Sequence, residues 1–306
     1  MARVEKARMP RWMRRRVMCG PALRRVEEVL AEEGLATVCV GARCPNLGEC
    51  YCAGTATFMI LGDRCTRDCR FCAVPPGEGR PPDPGEPEAV ARAASRLGLE
   101  HVVVTSVTRD DLEGGGAGQF ASTVEAVREA LPGATVEVLI PDFLGDPAAV
   151  DKVIKAGPDV FNHNLETVRR LYPRVRPQAE YGRSLAVLSR GREAGLLTKS
   201  GFMVGFGESS EEIDELMGDL LAAGCRLLTV GQYLRPTAES AQVSRYYRPG
   251  EFETLREKAL GMGFEAVAAG LYVRSSYFAG EMFESVRDKR TAGIRKRYSQ
   301  EEMARR

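Results

Sequence analysis

The chain has 306 residues, 44% of them hydrophobic and 28% charged, enough to bury one large core with terminal extensions. A formal net charge of +1 provides no global field to gather nucleic acid, and no apolar run approaches the ~20 residues of a membrane span. Neither nucleic acid nor a membrane is therefore expected as a partner. The basic residues gather at the ends instead: Arg3, Lys6, Arg8, Arg11, Arg14, Arg15 and Arg16 at one, Arg295, Lys296, Arg297, Arg305 and Arg306 at the other. Such ends are solvated, or meet an acidic protein. Nine cysteines accompany no secretory signal, and all but Cys19 and Cys225 lie between residues 39 and 72. That crowding predicts metal ligation in a reducing, cytoplasmic compartment and argues against a disulfide framework.

In chain order, residues 1–52 form an N-terminal extension carrying Cys39-x4-Cys44-x5-Cys50 among the turn formers Gly41, Pro45, Asn46 and Gly48. The spacing is too loose for a zinc knuckle and suits a loop wrapped around a cluster; Cys52, two residues past Cys50, could replace it as a ligand. From 53 to 235, short β-rich runs alternate with segments of helical period. Strands are predicted at Ala56–Leu61, His101–Val107, Val136–Ile140, Val160–Leu165, Ser200–Val204 and Leu227–Tyr233. Between them, Phe120, Val124, Val127 and Leu131, and later Ile213, Leu216, Met217, Leu220 and Leu221, recur at the spacing of one helix face. A Pro/Gly-rich loop fills 75–87, and 236–306 form a C-terminal extension.

Strands alternating with helices call for parallel pairing with right-handed crossovers, in a doubly wound sheet or a (β/α) barrel, whole or partial. Polar and glycine-bearing residues follow many different strands, at Gly62–Asp63, Thr108–Asp111, Asp142, Asn162–Glu166, Gly205–Glu208 and Gln232, as they do around a barrel mouth. GFGESS at 205–210 lacks the third glycine of a dinucleotide fingerprint.

Directly after the first of these strands, Cys65-x3-Cys69-x2-Cys72 puts three thiolates within eight residues, able to reach three corners of a cubane cluster. Fully ligated clusters generally use four cysteines, so three leave one iron open to an external ligand. Zinc is disfavoured, because no His lies near enough to complete a tetrahedron. The two histidines, His101 and His163, are expected to be structural. Thr105, Ser106 and Asp110 precede Gly114–Gly116, a loop whose backbone either approaches a cofactor closely or simply turns.

TATFMILGDRCTRDCRFCAV at Thr55–Val74 and ARCPNLGEC at Ala42–Cys50 strongly resemble the lipoyl synthase family. So do VFNHNLETV at Val160–Val168, LYPRVRPQAEY at Leu171–Tyr181, GQYLRPT at Gly231–Thr237 and VRSSY at Val273–Tyr277. The likeness runs from about residue 9 to 280. It implies an α/β fold, a partial (β/α)6 TIM-like barrel, with two [4Fe-4S] clusters and S-adenosylmethionine. The cluster on Cys65, Cys69 and Cys72 would bind S-adenosylmethionine and reduce it to a 5′-deoxyadenosyl radical. An auxiliary cluster on Cys39, Cys44 and Cys50, with Ser276 as fourth ligand, would be consumed as the sulfur donor; a hydroxyl oxygen is a harder, weaker iron ligand than a thiolate. Asn162, Glu166 and Arg176 match family positions near S-adenosylmethionine and substrate, and Gln232 is similar.

The implied reaction inserts sulfur at C6 and C8 of an octanoyl chain on a lysine of a carrier protein, of the lipoyl-domain or glycine-cleavage H protein type. A reductant such as ferredoxin or flavodoxin and an iron–sulfur carrier for cluster replacement are the further implied partners. The alternative is another radical sulfur-insertion or methylthiolation enzyme, although no additional RNA-binding domain is visible. Where the family reads His-Leu-Pro-Val after GQYLRPT, this chain has Ser240, Ala241, Gln242 and Val243.

Overall fold

The computed structural model describes residues 9–13, 20–52 and 56–287; Cys19, the basic end residues other than Arg11, and the side chain of Cys52 lie outside them. The inner strands are buried along most of their length because both faces of a parallel sheet are covered. The strands are β1 (Ala36–Thr37), β2 (Thr57–Ile60), β3 (His101–Ser106), β4 (Thr135–Leu139), β5 (Val160–Asn162), β6 (Leu197–Val204), β7 (Leu227–Gln232) and β8 (Ala266–Gly270). They form one sheet in sequential order, β1 antiparallel to β2 and every later neighbour parallel, with the two outer strands unjoined. This is the partial barrel.

The six predicted strands are β2 to β7. β6 begins at Leu197, three residues before its predicted start, and β5 stops at Asn162, where Asn164 and Glu166 turn onto a cavity wall. The sheet gains β1 at one edge. At the other, past residue 235, β8 pairs with β7.

The described α-helices before residue 279 are α1 (Pro21–Glu32), α2 (Val38–Gly41), α3 (Leu47–Cys52), α4 (Glu86–Leu97), α5 (Ala117–Ala130), α6 (Pro147–Lys155), α7 (Tyr172–Val175), α8 (Tyr181–Glu193), α9 (Ser210–Ala222) and α10 (Pro249–Met262). In α9 Ile213, Leu216, Met217 and Leu220 of the predicted stripe are buried and Leu221 only partly so, and a Ser209–Glu212 capping box starts the helix. Phe120, Val124 and Val127 are buried in α5, while Leu131, the last of that predicted stripe, lies just past the helix end and is partly buried. No described helix is long and apolar enough to cross a membrane.

The barrel interior is layered. At the strand starts, Met282 and Val286 from the last described helical turns (279–287) pack with Val160, Leu197 and Leu227 and close the floor. Above them lies a charged layer: the Lys199 ammonium is 2.9 Å from the Glu137 carboxylate, both buried, with the His101 ring 3.5 Å from the same group. At the strand ends the interior opens into two cavities. The 273–274 segment lies so close over β7 that a Cβ at Gly231 would come within 2.2 Å of the Val273 carbonyl oxygen.

Candidate active site

At the C-terminal end of β2 the backbone turns sharply, with Leu61 at φ 67° and Gly62 at φ 92°, and the Glu86 carboxylate accepts the Leu61 N–H. The turn delivers the 65–72 loop, which is fastened along its length. Cys65 N–H donates to Pro75 O, Gly77 N–H to Cys65 O, Thr66 N–H to Thr108 O, Arg70 N–H to Val175 O, and Ala241 N–H to Arg70 O. The Pro/Gly-rich segment thus backs the cysteine loop instead of merely spacing it, and the Ser240–Val243 stretch touches it as well.

Inside the loop the buried Arg67 donates to Asp110 at 2.6 Å and to Asp142 at 2.5 Å, and Arg183 donates to Asp142 at 2.8 Å. Burial alone would raise the Asp142 carboxyl, but the hydrogen bond and charge of Arg67 hold it down at about 2.

The sulfurs of this loop receive backbone donors: Cys65 Sγ from Arg67 N–H (3.4 Å) and Thr108 N–H (3.3 Å), Cys72 Sγ from Val74 N–H (3.4 Å). Burial pushes the Cys69 thiol up and the Cys72 thiol up to about 12. As free groups they stay protonated at neutral pH; iron would bind them as thiolates. Among the described residues no three His, Cys, Asp or Glu side chains converge on a point where one ion could sit. A cluster does not need that convergence, since each thiolate serves a different iron.

Cys65, Cys69 and Cys72 line a cavity of about 160 Å³ together with Thr105, Ser106, Glu166 and Arg176. Thr105 donates to Leu139 O at 2.8 Å, while the buried Ser106 hydroxyl has no partner among the described residues. Glu166, at φ 68°, accepts from Asn164 Nδ2 at 3.0 Å, and burial pushes its carboxyl up. Arg176 donates to the Asn164 and Leu165 carbonyls and to Tyr172 Oη.

The other three predicted contacts line neither cavity. Asp110 holds Arg67; Asn162 donates to Glu137 (2.9 Å) and Ser275 (3.2 Å). The Gln232 amide is spent on the carbonyls of Val204, Tyr233 and Arg245 and on Tyr247 N–H. Gly114–Gly116 also lie off both walls; a Cβ at Gly116, where φ is 86°, would come within 2.3 Å of Leu61 Cδ1. His163 also lines the cavity of Cys65, Cys69 and Cys72: its Nδ1 sits 2.8 Å from Ile140 O, its buried Nε2 has no partner among the described residues, and burial pushes its ring down to about 4 and so keeps it neutral.

The second cavity, about 480 Å³, is lined by Cys39, Cys44, Cys50 and Ser276, and it shares Phe71, Cys72, Asn164 and Glu166 with the first. Its two sides come from opposite ends of the chain. Asn46 Nδ2 donates to Tyr272 O, Tyr277 Oη donates to Glu49 at 2.9 Å, and Arg43 donates to Pro236 O at 3.2 Å.

The two adjacent serines differ. Ser275 Oγ donates to Asn164 Oδ1 at 2.8 Å and accepts from Asn162, whereas the Ser276 hydroxyl makes no hydrogen bond among the described residues. Arg274, on the same wall, donates to Val273 O, and burial lowers its pKa. Arg67, Asn164, Arg274 and Glu49 were not singled out from the sequence, and Asn46 was read only as a turn former. Arg67 and the pair Asn46 and Glu49 carried one signal, their position between candidate ligand cysteines.

A family model described as the radical SAM superfamily matches residues 59–220. The curated lipoyl synthase of Rubrobacter xylanophilus is 54% identical over 280 residues, 91% of this chain and 87% of that one. That of Caldanaerobacter subterraneus subsp. tengcongensis is 53% identical over 274 residues, 89% and 96% of the two chains. Among solved structures, Streptococcus suis SuiB bound to S-adenosylmethionine is similar with a TM-score of 0.54 at 16% identity, over 71% of this chain and 50% of that one. Methylornithine synthase gives 0.52 at 15%, over 71% and 72%. At these identities the two structures bear on the fold alone.

Proposed function

Because the chain belongs to the lipoyl synthase family of radical S-adenosylmethionine enzymes, which insert sulfur into a protein-bound octanoyl chain, we propose that its two adjoining cavities divide that reaction. The enzyme uses a [4Fe-4S] cluster and S-adenosylmethionine. In our reading Cys65, Cys69 and Cys72 hold that cluster, and Cys39, Cys44, Cys50 and Ser276 hold a second [4Fe-4S] cluster. When bound, the first supplies the electron that splits S-adenosylmethionine to a 5′-deoxyadenosyl radical, and the second supplies the sulfur.

The observation that carries this reading is the shared wall: Phe71 and Cys72 line both cavities, so the radical source and the sulfur source flank one space. The residues present fit the groups. Backbone N–H donors already point at Cys65 and Cys72 sulfurs, and the Ser276 hydroxyl is free where its neighbour Ser275 is spent. The Ser106 hydroxyl, His163 Nε2, Glu166 and Arg176 are polar groups on the wall of the smaller cavity available to hold S-adenosylmethionine. Phe202, Met203, Leu234 and Val273 give the larger cavity an apolar lining suited to an octanoyl tail, which enters on the lysine of a lipoyl domain or a glycine-cleavage H protein. A ferredoxin or flavodoxin would deliver electrons, and an iron–sulfur carrier would replace the spent cluster.

Anaerobic reconstitution followed by S-adenosylmethionine, reductant and an octanoyl-lysyl peptide tests the assignment. About eight irons per chain and a lipoyl product are expected. Reductive cleavage of S-adenosylmethionine with no sulfur in the peptide would overturn it. Cys50→Ala is expected to lose the second cluster and Cys52→Ala to keep it; the reverse result would move the ligand to Cys52.

A further inference from the structure

We propose that Glu49 and Tyr277 are positioning residues, a clasp that keeps the cysteine-bearing segment docked on the serine-bearing segment while the auxiliary cluster is spent and replaced. The inference rests on the reading that Cys39, Cys44, Cys50 and Ser276 hold that cluster.

The two segments are anchored differently. The serine segment is tied into the barrel: Ser275 bridges Asn162 and Asn164, Asn162 reaches the buried Glu137–Lys199 pair, and Val273 lies flat on Gly231. The cysteine segment pairs with the sheet through the two residues of β1, runs on in the short helices α2 and α3, and packs Cys39 and Tyr51 into the core beside β2. Among the described residues, two direct bonds join the segments and bracket the ligands. Asn46 and Glu49 both lie between Cys44 and Cys50, and their partners Tyr272 and Tyr277 lie on either side of Ser276. Neither bond runs through a ligand atom. A serine oxygen holds iron weakly, so iron alone is a poor tether between the halves, and each consumption of the cluster removes it. The phenol-to-carboxylate bond is charge-assisted and persists through that cycle.

The test follows cluster replacement by spectroscopy. Reconstituted parent, Tyr277→Phe, Glu49→Gln and Ser276→Ala enzymes are turned over once with S-adenosylmethionine, reductant and octanoyl-lysyl peptide, desalted, and reloaded with ferrous iron and sulfide. Mössbauer spectra then count cluster regained at each site. Tyr277→Phe and Glu49→Gln are expected to slow recovery at the auxiliary site about tenfold, with iron at the Cys65, Cys69, Cys72 site as the unchanged reference. Recovery equal to the parent in both variants, or equal loss at both sites, would overturn the clasp. Ser276→Ala separates the two claims: an auxiliary spectrum identical to the parent's would remove the serine ligand itself, whatever the clasp variants do.

Discussion

Two sets of thiols proposed to hold the same kind of cluster are built in opposite ways. The 65–72 loop takes all three of its cysteines from one turn at the end of β2, and backbone bonds to residues 75–77, 108, 175 and 241 hold its shape. The auxiliary set draws its cysteines from residues 39 to 50 and its serine from residue 276, and only the finished barrel puts them on one cavity wall. Closing a short loop costs little chain entropy, and local bonds can offset it. Bringing the ends of a 306-residue chain together is repaid only by the whole core. The first site is therefore sensitive to what touches the loop, the second to anything that loosens the barrel or the two terminal segments.

The largest expected effects separate the two sets outright. Cys69→Ala leaves two thiols in the loop, and no 5′-deoxyadenosine above background is expected by chromatography. Cys44→Ala is expected to keep forming 5′-deoxyadenosine and to yield no lipoyl product. Loss of both products in both variants would break the division of labour between the cavities.

The same contrast explains what could be read from the sequence. The six inner strands were legible because short runs rich in β-branched, aromatic and other apolar residues, bounded by turn residues, have few other uses, and the cysteine loop because every ligand falls within eight residues. β8 was not legible: its AVAAG sequence is small-residued and half-buried, without dense β-branched or aromatic residues. Asp110, Asn162 and Gln232 follow strands as cofactor contacts do, yet the Asp110 carboxylate is taken by Arg67, the Asn162 Nδ2 donor by Glu137 and Ser275, and the Gln232 amide by four backbone groups, and none of the three lines either cavity. Position after a strand marks the barrel mouth. Which polar atoms remain free there is decided by tertiary hydrogen bonding, which no spacing encodes. Ser275 and Ser276 are the clearest case, adjacent and chemically identical but one spent and one free.

A smaller effect probes the floor on which the distant half rests. Burial would raise the Glu137 carboxyl, but Lys199 beside it holds it down at about 2. Lys199→Met strands that carboxylate without its cation, at a cost of about 3–5 kcal/mol in urea unfolding. Lys199→Met with Glu137→Leu should recover most of the loss, since a well-packed apolar pair can replace a buried ion pair. A single-variant cost below about 1 kcal/mol, the scale of an exposed pair, would show that this pair does not support the Asn162–Ser275 chain.

The smallest effect concerns the loop and depends on pH. Asp142 receives Arg67 from inside the cysteine loop and Arg183 from α8, and its folded pKa of about 2 lies below its ordinary value of 3.8. Folding therefore favours the ionised form. The stabilisation is fully present above 3.8 and is lost as pH falls toward 2, on the order of 2 kcal/mol. Asp142→Asn keeps the shape and removes the charge, so the parent should be the more stable by about that amount at neutral pH, with the gap narrowing across this acid window. Glu137 titrates low in both proteins and cancels in the difference. A gap that stayed constant into acid would mean that Asp142 holds Arg67 by shape alone, and that the local site, like the distant one, depends on packing more than on charge.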